Sequence, residues 1–209
     1  FGADLGAEKF LDIKCRISGL KPDAVVIVAT VRAIKMHGGL PKSELGAEDL
    51  NALKAGMPNL LRHVENITRV YGLKAVVAIN RFPTDTDREI QLVEEECARL
   101  GVRAVLSQVW EKGGEGGVEL AEQVVELCNK ANEFRFAYSA SEPIYEKLND
   151  IAKKIYHADG VELTAAAKRQ MSNLQALGFS DLPICMAKTQ YSFSDNPKLL
   201  GAPDGFTIT

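Results

Sequence analysis

The feature that most constrains the fold is an alternation of short apolar runs with amphipathic helical stripes. Four runs have the length and composition of strands: Ala24 to Val31, Ala75 to Ile79, Ala104 to Val109 and Leu182 to Ala187. Strands that alternate with helices over short connections favour right-handed crossovers and parallel pairing. The sequence therefore predicts an α/β fold, with a parallel sheet flanked by helices.

The helical stripes carry an apolar residue every three or four positions. They run from Leu50 to Tyr71, from Ile90 to Leu100 and from Leu120 to Ala131. Gly56 and Pro58 are predicted to split the first stripe into two helices, because proline removes a helical hydrogen bond. Each stripe predicts a helix that packs one face against the sheet.

The second stripe has boundary signals at both ends. Thr84 and Thr86 stand three residues before Asp87 and Glu89, which is the spacing of a capping box. Gly101 follows the last apolar residue, in the position of a C-terminal cap. These signals predict a helix that begins near residue 87 and ends near residue 100.

The pattern changes after Asn132. Residues 1–132 are interpreted as the main α/β core, and residues 133–209 as a second α/β part that continues beyond the chain end. The first residues, Phe1 to Gly6, lack an initiator methionine and read as a loop from inside a domain, while Thr207 to Thr209 reads as the start of a strand. We therefore expect the chain to be an internal piece of a longer protein.

The bulk composition excludes several classes of function. A net charge of -3, with 25% charged residues, provides no basic footprint for nucleic acid. No apolar stretch approaches the roughly 18 residues of a membrane span, and the N-terminus does not resemble a secretory signal. A cytoplasmic protein that binds neither nucleic acid nor membrane is expected.

The four cysteines, Cys15, Cys97, Cys128 and Cys185, form no Cys-x-x-Cys pair. A zinc knuckle and a thioredoxin-like redox site are therefore not indicated, and no metal site is predicted. We interpret the cysteines as reduced thiols of the core, where cysteine behaves as a small hydrophobic residue.

Cations and glycines follow the first apolar run. Val25 to Val31 is typical of a strand buried on both faces, and Arg32, Lys35 and His37 come next, before Gly38 and Gly39. Glycines let backbone N–H groups approach a ligand closely, so an anion-binding loop is one interpretation. A solvated or salt-bridged turn is the other.

Two large aromatic residues stand at neighbouring strand ends, Phe82 and Trp110. Carboxyl ends of parallel strands meet at one edge, where ligands bind in such sheets. Two facing rings would form a slot for a flat heteroaromatic or benzoyl group, although core packing is a commoner role for large aromatics. The glycine-rich segment Gly113 to Gly117 favours the slot, because such glycines suggest close approach of another group.

The blocks Phe1 to Phe10, Val28 to Gly39, Asn80 to Thr86, Trp110 to Gly117 and Ala187 to Asp195 resemble those of formate–tetrahydrofolate ligases, in the order of that family. The resemblance covers effectively the whole chain. It implies a P-loop NTPase-like fold and the ATP-dependent joining of formate to tetrahydrofolate through formyl phosphate. It also implies ATP with Mg²⁺, a monovalent cation (K⁺ or NH₄⁺), a cytoplasmic homotetramer and a place in one-carbon metabolism.

The resemblance also implies roles for individual residues. The substrate-binding residues would be Phe1, Phe82, Pro83, Leu106 and Trp110, with Phe82 and Trp110 as the folate-stacking pair. The phosphate-side loop would contain Gly38 and Gly39, and Arg32, Lys35 and His37 are catalytic candidates without assigned roles. No Gly-x-x-x-x-Gly-Lys-Ser/Thr motif occurs in the sequence, so the family's P-loop is expected upstream of Phe1. The piece alone is expected to be inactive.

Two alternatives stay open. A non-catalytic α/β module that binds folate or nucleotide would keep the aromatic slot without the nucleotide loop. A dethiobiotin-synthetase-like ligase would share the layout of strand-end loops, but it would not explain Trp110 beside its glycine segment.

Overall fold

The structure is a computed structural model that describes residues 3–209. The strands are β1 (Ala24–Ala29), β2 (Lys74–Asn80), β3 (Ala104–Ser107), β4 (Gly160–Val161) and β5 (Thr207–Ile208). The α-helices are α1 (Ala3–Glu8), α2 (Arg16–Ser18), α3 (Val31–His37), α4 (Leu50–Glu65), α5 (Asp87–Arg99), α6 (Val109–Lys112), α7 (Val118–Cys128), α8 (Ile144–Ile151) and α9 (Ala165–Ala176). Lys9–Cys15, Asn66–Val70 and Ala152–Tyr156 are π-helical, and Gly113–Gly117 is a 3₁₀ turn.

The described residues pack as two compact units, residues 22–134 and residues 3–21 with 135–209. The first unit contains a parallel sheet in the order β1-β2-β3, flanked by helices, which confirms the predicted α/β class. The second unit contains the parallel pair β4-β5, so the end of the chain is a strand as the sequence suggests. Residues 3–21 pack with residues 135–209.

Burial differs between the strands of the sheet. The central strand β2 is buried from Ala75 to Ile79, as its continuous apolar run predicts. β1 was predicted to be buried on both faces, and this is wrong for the described residues: Val26 and Val28 are 40% and 68% exposed, while Ile27 and Ala29 are buried. β1 lies at the edge of the sheet and buries only one face.

The segment after β1 differs from the prediction. The strand ends at Ala29, and helix α3 begins at Val31, so Arg32, Lys35 and His37 lie on a helix instead of a loop. The Thr30 hydroxyl accepts the N–H of Ala33 at 3.1 Å and caps the helix. Thr30 and the buried Val31 are both β-branched, so in the sequence they read as two more residues of the strand.

Helix α4 was predicted to break at Gly56 and Pro58, and this is also wrong. The helix continues for 16 residues with Pro58 inside it. Pro58 lies on the exposed face, where water can hydrogen-bond the carbonyl group that its missing N–H leaves free. The buried face carries Leu53, Met57 and other residues of the predicted stripe.

The fourth predicted strand is absent: residues 182–187, all of which the structure describes, form no strand. Their backbone groups bond to side chains instead. The Lys147 ammonium donates to the carbonyl of Leu182 at 2.9 Å, and the N–H of Ile184 donates to the Tyr138 hydroxyl at 2.8 Å. These bonds replace the ladder that a neighbouring strand would provide.

The cysteine prediction holds only in part. All four thiols are free, and Cys15 and Cys97 are buried, but Cys128 and Cys185 are exposed. Burial raises the pKa of Cys97 to about 12, which makes it an inert core thiol. None of the helices within residues 3–209 is both long and apolar enough to cross a membrane.

Candidate functional site

The strand register brings three predicted site residues to the carboxyl end of the sheet. Ala29 pairs with Ile79, and Asn80 pairs with Ser107. Three residues beyond the second pair stand Pro83 and Trp110. Because β2 and β3 are parallel and their carboxyl ends lie side by side, the loop that carries Phe82 lies beside the short helix α6 that carries Trp110.

A cavity of about 430 Å³ opens at the carboxyl ends of β2 and β3. The described residues that line it are Arg81, Phe82, Pro83, Gln108, Trp110 and Glu111. Apolar walls with a few polar groups are typical of small-molecule sites. Of the predicted substrate-binding residues, Phe82, Pro83 and Trp110 thus share one cavity, whereas Leu106 lies in β3 and is not among the lining residues. Phe1 lies outside the described residues.

The two aromatic residues have different surroundings. Trp110 is 84% exposed, so core packing does not explain this ring within the described structure. Phe82 is half-buried. An exposed tryptophan at the rim of a cavity leaves one large flat surface free for a ligand.

The glycine segment after Trp110 packs against its own chain. A Cβ atom on Gly116 would lie 2.4 Å from the backbone oxygen of Gln108, and the Gln108 N–H donates to the carbonyl of Gly116. Gly113 has φ +59°, which favours glycine. The predicted close approach is therefore real, but at Gly116 the approaching group is the backbone just before α6, which this contact holds in place.

Asp85 fixes the loop that carries Phe82. Its carboxylate accepts the N–H of Phe82 at 2.8 Å, and its own N–H donates to the carbonyl of Phe82 at 2.9 Å. Burial raises the pKa of Asp85, and the Phe82 hydrogen bond and the cations Lys35 and Arg32 oppose that rise. Two hydrogen bonds between Phe82 and Asp85, one in each direction, therefore close this turn.

Arg32 lies on helix α3, which follows β1, and contacts the loop that carries Phe82. Its guanidinium carbon is 4.4 Å from the centre of the Phe82 ring, and Nη2 donates to the Thr84 hydroxyl at 3.1 Å. The candidate catalytic cation thus touches the predicted folate-stacking ring. No sequence signal pairs these two residues, because the contact depends on the register of β1 and β2.

Lys35 is turned away from solvent. It is 0% exposed, and its ammonium donates to Glu89 at 2.8 Å and to the carbonyl of Ala47 at 2.7 Å. Glu89 also accepts the N–H groups of Asp49 and Thr86, so these bonds outweigh burial and lower its pKa. The structure makes Lys35 part of a buried ion pair between α3 and α5 rather than a group that faces a phosphate.

The predicted phosphate-side glycines also have a packing role. A Cβ atom on Gly38 would lie 1.8 Å from the backbone oxygen of Ala52, and one on Gly56 would lie 1.8 Å from that of Ile34. Gly39 has φ +92°, which favours glycine. Helices α3 and α4 therefore touch backbone to backbone at Gly38 and Gly56, and the half-buried His37 is the last residue of α3.

Three lining residues, Arg81, Gln108 and Glu111, were not predicted. Their only signal in the sequence is that they flank the two predicted aromatics. Within residues 3–209, no group of three or more His, Cys, Asp or Glu side chains could hold a metal ion. In comparison with known families, the model of formate–tetrahydrofolate ligase matches residues 1–209.

Proposed function

The chain belongs to the formate–tetrahydrofolate ligase family, and we propose that it carries the folate-binding part of a site that joins formate to tetrahydrofolate. The observation that supports this proposal is the cavity shared by Phe82, Pro83 and Trp110. The pyrimidine ring of the tetrahydropterin and the aminobenzoyl ring are flat, so aromatic walls would stack on them and orient the reacting amine.

The proposed reaction has two steps. Transfer of the terminal phosphoryl group of ATP to formate gives formyl phosphate and ADP. The N10 amine of tetrahydrofolate then attacks the formyl carbon, the C–O bond to phosphate breaks, and the amine loses a proton to give 10-formyltetrahydrofolate. In this scheme Phe82 and Trp110 hold the folate so that its amine meets the formyl carbon, which lowers the entropic part of the barrier.

Family membership also supports ATP with Mg²⁺, activation by K⁺ or NH₄⁺, a cytoplasmic homotetramer and a P-loop NTPase-like fold as proposals. Within residues 3–209 no group of three or more His, Cys, Asp or Glu side chains could hold a metal ion, and we assign no residue of the chain as a metal ligand. Lys35 is not assigned to proton transfer, because it is buried in an ion pair, and Arg32 is not, because it stacks on Phe82. His37, the last residue of α3, stays a catalytic candidate without an assigned role.

The test is product formation by the full-length protein, measured as 10-formyltetrahydrofolate with ATP, formate and tetrahydrofolate present and with each omitted in turn. We expect product only when all three are supplied, and about a tenfold or larger loss of kcat/KM for tetrahydrofolate in Trp110→Leu. Tetrahydrofolate binding without turnover in the full-length protein would favour a non-catalytic binding module instead.

A further inference from the structure

We propose that Arg32 is a positioning residue for the Phe82 ring, which it holds from the face opposite the ligand. The proposal rests on the proposed function, since it concerns the same folate slot. It replaces the view of Arg32 as a phosphate ligand with a role in setting the affinity for tetrahydrofolate.

The geometry of the guanidinium supports this role. Its carbon lies 4.4 Å from the centre of the Phe82 ring, which is within the range of a cation–π contact. Nη2 bonds to Thr84, two residues further along the same loop. Arg32 therefore contacts both the Phe82 ring and the side chain of Thr84 in the same loop.

The face that Arg32 covers is not available to a ligand. A phenyl ring has two faces, and one of them lies against the guanidinium, while Phe82 also lines the cavity with Trp110. The remaining face and edge of the ring are what a bound folate can contact. Arg32 thus determines which surface of Phe82 the slot presents.

Arg32 itself comes from a rigid part of the fold. It lies in the first turn of α3, which Thr30 caps and which the buried Lys35–Glu89 pair ties to α5. Its Nε atom is buried and makes no hydrogen bond within the described residues, so the guanidinium is held there by the stack and by Thr84. A preorganised ring loses less conformational entropy when the ligand binds.

If Arg32 bound an anion directly, its guanidinium nitrogens would have to donate to that anion. Nη2 is already bonded to Thr84, and the guanidinium carbon lies 4.4 Å from the centre of the Phe82 ring, so a phosphate contact that uses Nη2 would require these contacts to change. A variant of Arg32 should accordingly affect the KM for tetrahydrofolate, and not the KM for ATP or formate.

The test is a double-variant cycle in the full-length protein, with Arg32→Gln, Phe82→Leu and both together. Arg99→Gln serves as the control, because Arg99 pairs with Glu96 on the surface at the far end of α5. By calorimetry, we expect Arg32→Gln to weaken tetrahydrofolate binding about fivefold, with the loss seen in KM and little change in kcat. In the Phe82→Leu background the same change should have less than about a twofold effect, because its target is gone.

Equal effects of Arg32→Gln in both backgrounds, or a rise in the KM for ATP, would overturn the proposal. If the unsubstituted protein does not bind tetrahydrofolate, the proposed function fails, and a measurement without ligand still decides the role of Arg32. In protein labelled with 4-fluorophenylalanine, the ¹⁹F resonance assigned to Phe82 should shift or broaden in Arg32→Gln and stay unchanged in Arg99→Gln. An unchanged Phe82 resonance would refute the positioning role.

Discussion

Two buried glutamates, one in each unit, have pKa values that are shifted in opposite directions. Glu89 is 0% exposed and Glu8 is 2% exposed, so water solvates neither carboxylate. Burial opposes ionisation at both sites. Nevertheless the pKa of Glu89 is lowered, whereas burial raises the pKa of Glu8 to about 7.

The difference lies in the hydrogen-bond donors around each carboxylate. Glu89 accepts from the Lys35 ammonium and from two backbone N–H groups, so both of its oxygens are satisfied. Glu8 accepts from the Tyr156 hydroxyl at 2.5 Å, but its other oxygen has no hydrogen bond within the described residues. The nearby lysine, Lys188, pairs with Asp4 at 2.9 Å. At similar burial, the donors and charges around each carboxylate set the direction of its pKa shift, with Asp4 and Asp12 adding to the rise at Glu8 and Lys35 lowering the pKa of Glu89.

The largest effect should follow from breaking the satisfied pair. Lys35→Met removes the cation and leaves Glu89 buried without it, which should cost about 3–5 kcal/mol in the free energy of unfolding. Urea denaturation measures this loss. In Lys35→Met/Glu89→Gln the amide oxygen can still accept one of the two backbone N–H groups, and no charge stays buried, so this double variant should be the more stable of the two. A double variant less stable than Lys35→Met would contradict the account.

The unsatisfied glutamate should give a smaller effect that depends on pH. The folded state binds the Glu8 proton more tightly than the unfolded chain does, so stability is highest below about pH 4.5 and falls as the pH rises to about 7. Glu8→Gln should therefore be more stable than the unsubstituted protein at pH 8, by about 3 kcal/mol at most, and by less than about 1 kcal/mol at pH 5.

Unfolding curves at the two pH values check this expectation. Glu146→Gln is the matched control, because it makes the same substitution at a glutamate that is exposed on α8. The explanation from donors and charges would be wrong if Glu8→Gln were destabilising to the same extent at pH 5 and pH 8.

The smallest effect concerns the packing that holds Lys35 opposite Glu89. Gly38→Ala would place a Cβ atom 1.8 Å from the backbone oxygen of Ala52 and push α3 from α4, at a cost of about 1–3 kcal/mol. Gly6→Ala meets no atom within 4 Å and should be neutral or stabilising by up to about 1 kcal/mol. Thermal unfolding of both variants distinguishes a packing role for Gly38 from a general effect of alanine.

Local patterns predicted much of the sheet-containing unit. The helical stripes and the capping box of Thr86 and Glu89 were confirmed, because both depend on residues a few positions apart. The Lys35–Glu89 pair and the Arg32–Phe82 stack join residues some fifty positions apart, so only the register of β1 against β2 reveals them. Thr30 was missed because an N-cap threonine after a β-branched run continues the strand pattern.

The second unit was harder to predict because its backbone is held by side chains rather than by ladders. Residues 182–187 have the composition of a strand, but Lys147 and Tyr138 bond their backbone groups. Nothing in the local sequence indicates that the buried ammonium of the distant Lys147 donates to a carbonyl group of this segment. At the candidate site, the two aromatics were predicted from their place at strand ends, whereas the polar lining residues had no pattern of their own.

The central claim is that Phe82 and Trp110 form a folate slot, and tetrahydrofolate affinity in Trp110→Leu tests it most directly. Trp110 is 84% exposed, so the variant should unfold at the same denaturant concentration as the unsubstituted protein. The account predicts that tetrahydrofolate binds the variant at least about tenfold more weakly, as measured by calorimetry. An unchanged dissociation constant in a folded Trp110→Leu protein would contradict it.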